Sequence, residues 1–282
     1  MLVYKNTSYS KSNAQMEIKS VVSFLFILQT IINGVDPTIA QSLKTNKHVC
    51  RGGESKGLNI LMNKASALDK VLGLLDDSSN YHGFYHVQVG NKSEEQVSAS
   101  LLCPPNVHKG QCVCCLDGLL KYLLDNCGKQ QEGIAWDAYF NFYCMLRFTT
   151  GRKILSVLDN WAWYDLVYDN HVKAVDLVKT MDSLTSTLKE QAAGGNDLEK
   201  FAYGKVIYDG DEHKLYAVAQ CTPDLSKADC VKCLSEASTR MRSCCTGKSR
   251  FDGRVFSANC ILRYSHIKFI TPPEEYNPKY CS

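Results

Sequence analysis

Two copies of one cysteine spacing limit what this chain can become. Cys103, Cys112 and Cys115 are separated by eight and then two residues, and Cys221, Cys230 and Cys233 repeat that spacing. Beyond each third cysteine, at the same offset, lies another, Cys127 and Cys245, and each half holds one more, Cys144 and Cys260. So long a match reports an internal repeat of one unit. Fourteen cysteines in 282 residues are many for a reducing compartment unless they hold metal, and the even count permits full pairing.

The N-terminal segment points to an oxidising destination. Lys19 flanks an apolar run, Val21 to Ile32, that matches a signal-peptide core and falls short of the ~20 residues a membrane span needs. Thr38-Ile39-Ala40 or the stretch around Gly34 offers a cleavage point, and the polar residues before Met16 read as an upstream extension or as lying ahead of the true start. Residues 1–40 are therefore expected to be extension and signal peptide, with no membrane anchor in the mature chain. A net charge of +3, with no basic run interleaved with aromatics, argues against nucleic acid as a partner. It is compatible with acidic wall polymers without selecting them.

Hydrophobic periodicity gives each copy the same plan, and a 45% hydrophobic chain can fill its cores. Leu58, Leu61, Met62, Ala65, Leu68, Leu72 and Leu75 recur at helical spacing before the first triplet, as do Leu177, Met181, Leu184 and Leu188 before the second. A second helix follows each triplet, through Leu116, Leu119, Leu120, Leu123 and Leu124 and through Leu234, Ala237 and Met241. Period-two alternation predicts strands in which Phe140, Phe142, Cys144, Leu146 and Phe148 share one face, as do Phe256, Ala258, Cys260, Leu262 and Tyr264. Further strands are predicted at 85–89, 98–102, 202–208 and 215–220.

Each copy thus reads as an α+β domain, an antiparallel sheet packed on two helices and stapled by disulfides. The domains are 43–151 and 157–269, joined through Gly151 to Asn160 and followed by a tail, 270–282. Ala192 to Asp197 marks a loop inside the second.

The segments Leu215 to Ser226, Asp229-Cys230-Val231-Lys232-Cys233-Leu234 and Cys260-Ile261-Leu262-Arg263-Tyr264 resemble the ginkbilobin-2-homologous domain of plants. This domain of unknown function is shared with cysteine-rich receptor-like kinases and plasmodesmata-located membrane proteins. The resemblance runs from about Leu43 to Ile270. With no kinase domain or span in this sequence, it implies the class of cysteine-rich repeat secretory proteins. It also implies a bridge scheme: Cys103–Cys112 and Cys221–Cys230, Cys115–Cys144 and Cys233–Cys260, and Cys50–Cys127. The second copy lacks a counterpart of Cys50. Cys281 is the candidate partner for Cys245; Cys244 and Cys114 compete, and pairing between molecules stays open.

Other chemistry is sparse. Cys112-x-Cys114-Cys115 and Cys230-x-x-Cys233 superficially fit zinc spacing, but the leader and the repeated frame favour bridges, so neither metal nor cofactor is expected. None of His48, His82, His86, His108, His171, His213 and His266 recurs at equivalent places in both copies. His82 and His86 lie in a strand-like stretch, where their spacing makes no helical metal pair. There is no nucleophile elbow, phosphate loop or dinucleotide fingerprint. Asp76-Asp77, Glu94-Glu95 and Glu274-Glu275 read as solvated loop charges. No catalytic residue is assigned; an unpaired Cys114 or Cys244 is the remaining route to an enzyme. Asn91-Lys92-Ser93 is a glycosylation sequon after a strand.

The resemblance further implies a sugar site. The single-domain ginkbilobin protein binds mannose through an Asn just after the first cysteine, an Arg before the last and a Glu after it, a set able to bond sugar hydroxyls jointly. Those places hold Arg51, Ala138 and Thr149 in the first copy, and Arg254 and Ser265 in the second. Arg254 alone matches by type and is the one ligand-binding candidate. The expected function is that of a secreted, non-enzymatic apoplastic protein in stress or defence, binding an extracellular glycan or protein. The alternatives are a mannose-type antifungal lectin and a redox or hydrolytic enzyme using an unpaired cysteine.

Overall fold

Each repeat contributes five strands and two helices in the same order. The computed structural model describes residues 46–77, 81–137, 143–169, 177–208, 213–245 and 250–269. The expectations for residues 1–40, Ala138, Phe140, Phe142, His171, Glu274-Glu275 and Cys281 lie outside these residues, as do the side chains of Asp76, Asp77 and Cys245. The first repeat holds β1 (Lys47–Glu54), α1 (Leu58–Asp77), β2 (Phe84–Val89), β3 (Val97–Leu102), α2 (Lys109–Cys127), β4 (Gln130–Asp137) and β5 (Cys144–Thr150). The second holds β6 (Trp163–Asp169), α3 (Leu177–Ala193), β7 (Lys200–Tyr208), β8 (His213–Cys221), α4 (Lys227–Cys245), β9 (Arg250–Ser257) and β10 (Cys260–Ser265).

The strand orders are β1-β4-β5-β3-β2 and β6-β9-β10-β8-β7, so the two sheets match element by element. All their pairings are antiparallel. The tandem α+β architecture is the one the cysteine spacing and periodicity imply.

The strands β1, β4, β6 and β9 are less evident in the sequence. The run expected to share one face from Phe256 to Tyr264 breaks after Ser257, so Phe256 and Ala258 join the core between the sheets while Cys260, Leu262 and Tyr264 face the helices. β1 carries Gly52-Gly53 and no clean alternation; its place comes from pairing with β4 along Lys47 to Arg51. Helix starts are set locally. His108 caps α2, its ring accepting from Gly110 N while Gln111 returns a bond to the cap backbone. Ser226 caps α4, its Oγ accepting from Asp229 N at 3.1 Å and donating to Asp229 Oδ2 at 2.7 Å.

One apolar stripe is turned from its expected direction. Over α1, Ala67, Leu68, Val71 and Leu75 face the sheet, together with Lys64, while Leu58, Leu61, Met62 and Ala65 face solvent. The buried lysine explains the rotation, because its ammonium is anchored beneath the helix.

The larger difference concerns the second face of each sheet. Alternation on β5 sends Cys144, Leu146 and Phe148 toward the helices, where they join one core. It sends Met145, Arg147 and Thr149 the other way, yet these are buried too. The two sheets pack on one another, giving helix, sheet, sheet, helix. Their shared core joins Phe84, Leu102, Ile134, Trp136 and Met145 of the first repeat to Val218, Phe256 and Ile261 of the second. Trp136 and Phe256 both stack on Tyr164, with centroids 6.3 and 5.8 Å away. Trp136 Nε1 donates to Ser257 O at 3.1 Å, and Gln220 Nε2 donates to Cys103 O at 3.0 Å.

The segment after Gly151 belongs to this core instead of acting as a free tether. Ile154 and Ala162 are buried. The Asp159 N–H donates to Asn259 Oδ1 at 2.8 Å, and its carboxylate accepts from Arg147, so one residue ties both repeats. Ser156 takes a left-handed φ of 56°, which costs energy for a non-glycine residue. Its N–H is held by Asp224 Oδ2 at 2.6 Å.

A shared core predicts shared melting. Trp136→Ala leaves a cavity between the sheets and is expected to lower stability by ~3–5 kcal/mol. Calorimetry of the full chain should show one transition moving down for both repeats; a shift confined to the first repeat would contradict the shared core.

Candidate functional site

The motif cysteines sit where two elements meet. Cys103 follows β3, and Cys112 lies in the first turn of α2; the loop between them brings the pair together as Cys103–Cys112. Cys112 and Cys115 are three apart on a helix and so share its buried face. Cys115 therefore reaches the central strand, as Cys115–Cys144. The second repeat does likewise with Cys221–Cys230 and Cys233–Cys260. Cys50–Cys127 ties edge strand β1 to the end of α2. Bridges of this kind contribute ~2–4 kcal/mol each, chiefly by restricting the unfolded chain.

Cys114 and Cys244 are disulfide-bonded as well, and no cysteine among the described residues is free. The thiol on which the enzyme alternative depends is thus absent at both candidate positions. His48, Cys50 and Cys127 cluster closely enough to hold a metal ion, but the two sulfurs are bonded to each other and supply no thiolate.

The sugar-site candidate lies in an unexpected place. Arg254 is only 2% exposed, on the β9 face turned toward the other sheet. Its Nε and Nη2 donate to the two carboxylate oxygens of Asp252 at 2.7 and 3.1 Å, a bidentate pair. Arg263 Nη2 donates to the same carboxylate at 2.6 Å, and its guanidinium lies 3.8 Å from the Phe269 ring centroid. Burial works to raise Asp252, but Arg263 and Arg254 override it and hold the carboxyl below its usual range. Ser265 and Thr149 are also buried, whereas Arg51 is exposed over Trp161. Arg254, the ligand-binding candidate, is a partner in an interior ion cluster. Among the described residues, the equivalent positions Arg51 and Thr149 are not brought together on an open face.

Sequence reasoning passed over the charges with which these arginines work. Arg147 and Arg263 stand at the same place on β5 and β10, each three residues past the strand's cysteine. Glu132 and Asp252 also correspond, lying opposite Thr149 and Ser265. In the first repeat Arg147 pairs with Asp159, and Arg152 bridges Glu132 and Asp159. The signal was the arginine repeated after each strand cysteine, on the face opposite the cysteine.

Asn91 is exposed in the turn between β2 and β3, so its amide is open to an attached glycan. His82 stacks on Tyr85, and His86 on Phe84. Burial lowers the His82 pKa. The two imidazoles therefore pack on separate rings, not around one ion.

Lys64 is a buried cation without a carboxylate partner among the described residues. Its Nζ donates to Ser55 Oγ at 2.8 Å and to the carbonyls of Gly128 and Gln130 at 3.0 and 2.6 Å. Gly128 caps α2, so the ammonium meets the negative end of that helix. Burial pushes its pKa down from 10.5 to about 8. The unfolded chain then holds a proton that the folded chain gives up within this window, so stability rises with pH from about 8 toward 10.5. The cost of charging Lys64 is fully present below that window.

Burial holds the hydroxyls of Tyr81 and Tyr143 protonated, which reverses the trend once unfolded tyrosines ionise near pH ~10. Urea midpoints should climb from about pH 8 to about pH 10. In Lys64→Met the climb should vanish, with a loss of ~1–3 kcal/mol at neutral pH from the unpaired carbonyls. An unchanged pH slope in the variant would refute the assignment.

Two disulfide-stapled α+β repeats joined through their sheets define a tandem cysteine-rich domain protein. The same tandem appears in crystal structures of two DUF26 ectodomains from Arabidopsis thaliana cysteine-rich receptor-like proteins. They match with TM-scores of 0.60 and 0.58 at 21% and 19% identity, over 78% and 79% of this chain and 97% and 99% of theirs. The chain belongs to the salt stress response/antifungal domain family, whose model matches residues 50–151 and 170–267.

Among its relatives, cysteine-rich repeat secretory protein 1 of Arabidopsis thaliana is 32% identical over 73% of this chain and 59% of its own length. The antimicrobial ginkbilobin-2-like protein of Castanea crenata is 29% identical over 88% of this chain and 96% of its own. Cysteine-rich receptor-like protein kinase 29 of Arabidopsis thaliana is 28% identical over 73% of this chain, which spans 30% of that kinase. No helix among the described residues is long and apolar enough to cross a membrane.

Proposed function

We propose that this protein is a secreted, non-enzymatic binding and interaction protein of the plant apoplast, acting in stress or defence with an extracellular glycan or protein. The observation that carries this reading is how its reactive groups are engaged. Cys114 and Cys244 are in disulfides, and the arginines and acids inside the molecule pair with one another. The disulfide frame suits an oxidising compartment, and the similarity to a secretory repeat protein points the same way.

The full chain, secreted and oxidised, should bind a wall or fungal oligosaccharide or an apoplastic protein saturably and leave it chemically unchanged. Turnover of a bound glycan, or no binding to any wall glycan or apoplastic protein, would overturn the reading. Passage through the secretory pathway should glycosylate Asn91. Peptide N-glycosidase is expected to lower the mass of the wild-type product and leave Asn91→Gln unchanged.

A second reading, direct antifungal action, is favoured by the family's description and by the similarity to the antimicrobial protein of Castanea crenata. Purified protein would then inhibit hyphal growth. With Arg254 buried against Asp252, that inhibition should persist in excess mannose.

A further inference from the structure

We propose that the outer edge of β7 is an interface at which two copies of this chain pair antiparallel, about a two-fold axis through Gly204. The inference concerns self-association and goes beyond the reading of the protein as a binding module.

Four strands end the two sheets: β1, β2, β6 and β7. An edge strand presents a row of unpaired N–H and C=O groups, and proteins shorten or interrupt such edges to keep them from pairing. Three of the four are treated in this way. The pairing of β1 slips between Arg51 and Glu54, and that of β6 between Tyr168 and Asp169. β2 spans six residues and ends at Gly90, whose φ is 105°. β7 differs. It runs nine residues, holds no proline and pairs with β8 in unbroken register from Lys200 to Tyr208. Among the described residues its outer backbone groups meet no partner. Lys200, the charge at its start, is turned inside, its Nζ donating to the carbonyls of Asn196 and Pro223 at 3.2 and 3.0 Å.

The sequence of the strand selects a second copy as the occupant. Gly204 faces α3: a Cβ there would lie 3.1 Å from Leu184 and Leu188. Its neighbours Tyr203 and Lys205 therefore point away from the helix, as does Ile207, and all three are exposed. Directly opposite residues of an antiparallel pair share a face. A two-fold axis normal to the sheet must then pass through a residue and not between two. Centred on Tyr203 or on Lys205 the pairing is shorter, and at Lys205 it sets ammonium against ammonium. Centred on Gly204 it takes in all nine residues. Phe201 then meets the partner's Ile207, and Tyr203 meets the partner's Lys205, each pair occurring twice by symmetry. An aromatic ring against a β-branched side chain and one against a cation are both favourable cross-strand neighbours.

The helix layer accommodates this arrangement. α3 packs over both β7 and β8. With neighbouring strands ~4.8 Å apart, the axis sets the two α3 helices ~10 Å from each other, within the ordinary range for packed helices.

The test is sedimentation velocity of the secreted, oxidised full chain over a concentration series, with hydrogen exchange of the β7 amides at its two ends. The sedimentation coefficient should rise with concentration from the monomer value to that of a dimer, and the outward β7 amides should slow tenfold or more as it does. Tyr203→Lys sets like charges opposite one another at two places and should raise the dissociation constant tenfold or more. Tyr203→Glu sets a carboxylate against the partner's Lys205 and should keep the dimer. The near-UV circular dichroism of tryptophan should be unchanged in both variants. A chain that stays monomeric throughout would overturn the proposal. Amides of β7 slow at every concentration would then assign the edge to the chain's own terminal segments, and amides slowed only by added apoplastic protein would assign it to a different protein. A dimer indifferent to Tyr203→Lys would equally overturn it, moving the association to another face, such as the exposed Leu58, Leu61 and Met62 of α1.

Discussion

The burial of each sheet's second face against the other sheet is the constraint on which the rest of the structure depends. A five-stranded antiparallel sheet covered by helices on one side still presents a broad face to water. Here that face carries Trp136, Met145, Leu102 and Phe256, residues that a solvated sheet would not display. Packing sheet on sheet removes this surface and explains why β3 and β10 are buried along their whole length and β5 along all but its last residue. It also gives Asp159 its role, since its backbone is bound to one repeat and its side chain to the other.

The buried charges follow from that packing. Arg147 and Arg263 project from the central strands into the space between the sheets, where ionised groups persist only when paired. Asp159 and Asp252 supply the partners. Such clusters add little net stability compared with apolar packing, but an arginine facing the wrong neighbour would be severely penalised. The same packing withdraws Arg254, Ser265 and Thr149 from solvent.

Much of the fold was legible because cysteine spacing and period-two alternation are local signals. The i, i+3 pair Cys112 and Cys115 announces a helix face, and Cys144 marks the inward face of its strand. What was not legible is tertiary. Leu58, Leu61 and Met62 continue the apolar period of α1, but Lys64, bound to the carbonyl end of α2, decides which arc faces the sheet. No local rule reveals that a lysine is buried by a helix far along the chain. Arg254 reads as a ligand candidate because nothing local shows that its strand face is covered by the other sheet, where Asp252, two residues away on the same face, is its partner.

Native-state hydrogen exchange tests the shared core most directly. The slowest amides of β5 and β10 lie at the centres of the two sheets. If the sheets form one core, these amides should exchange through a single global opening, with equal opening free energies and equal sensitivity to urea. Protection of one strand persisting under conditions that fully expose the other would contradict the account, since each repeat would then hold its own independent core.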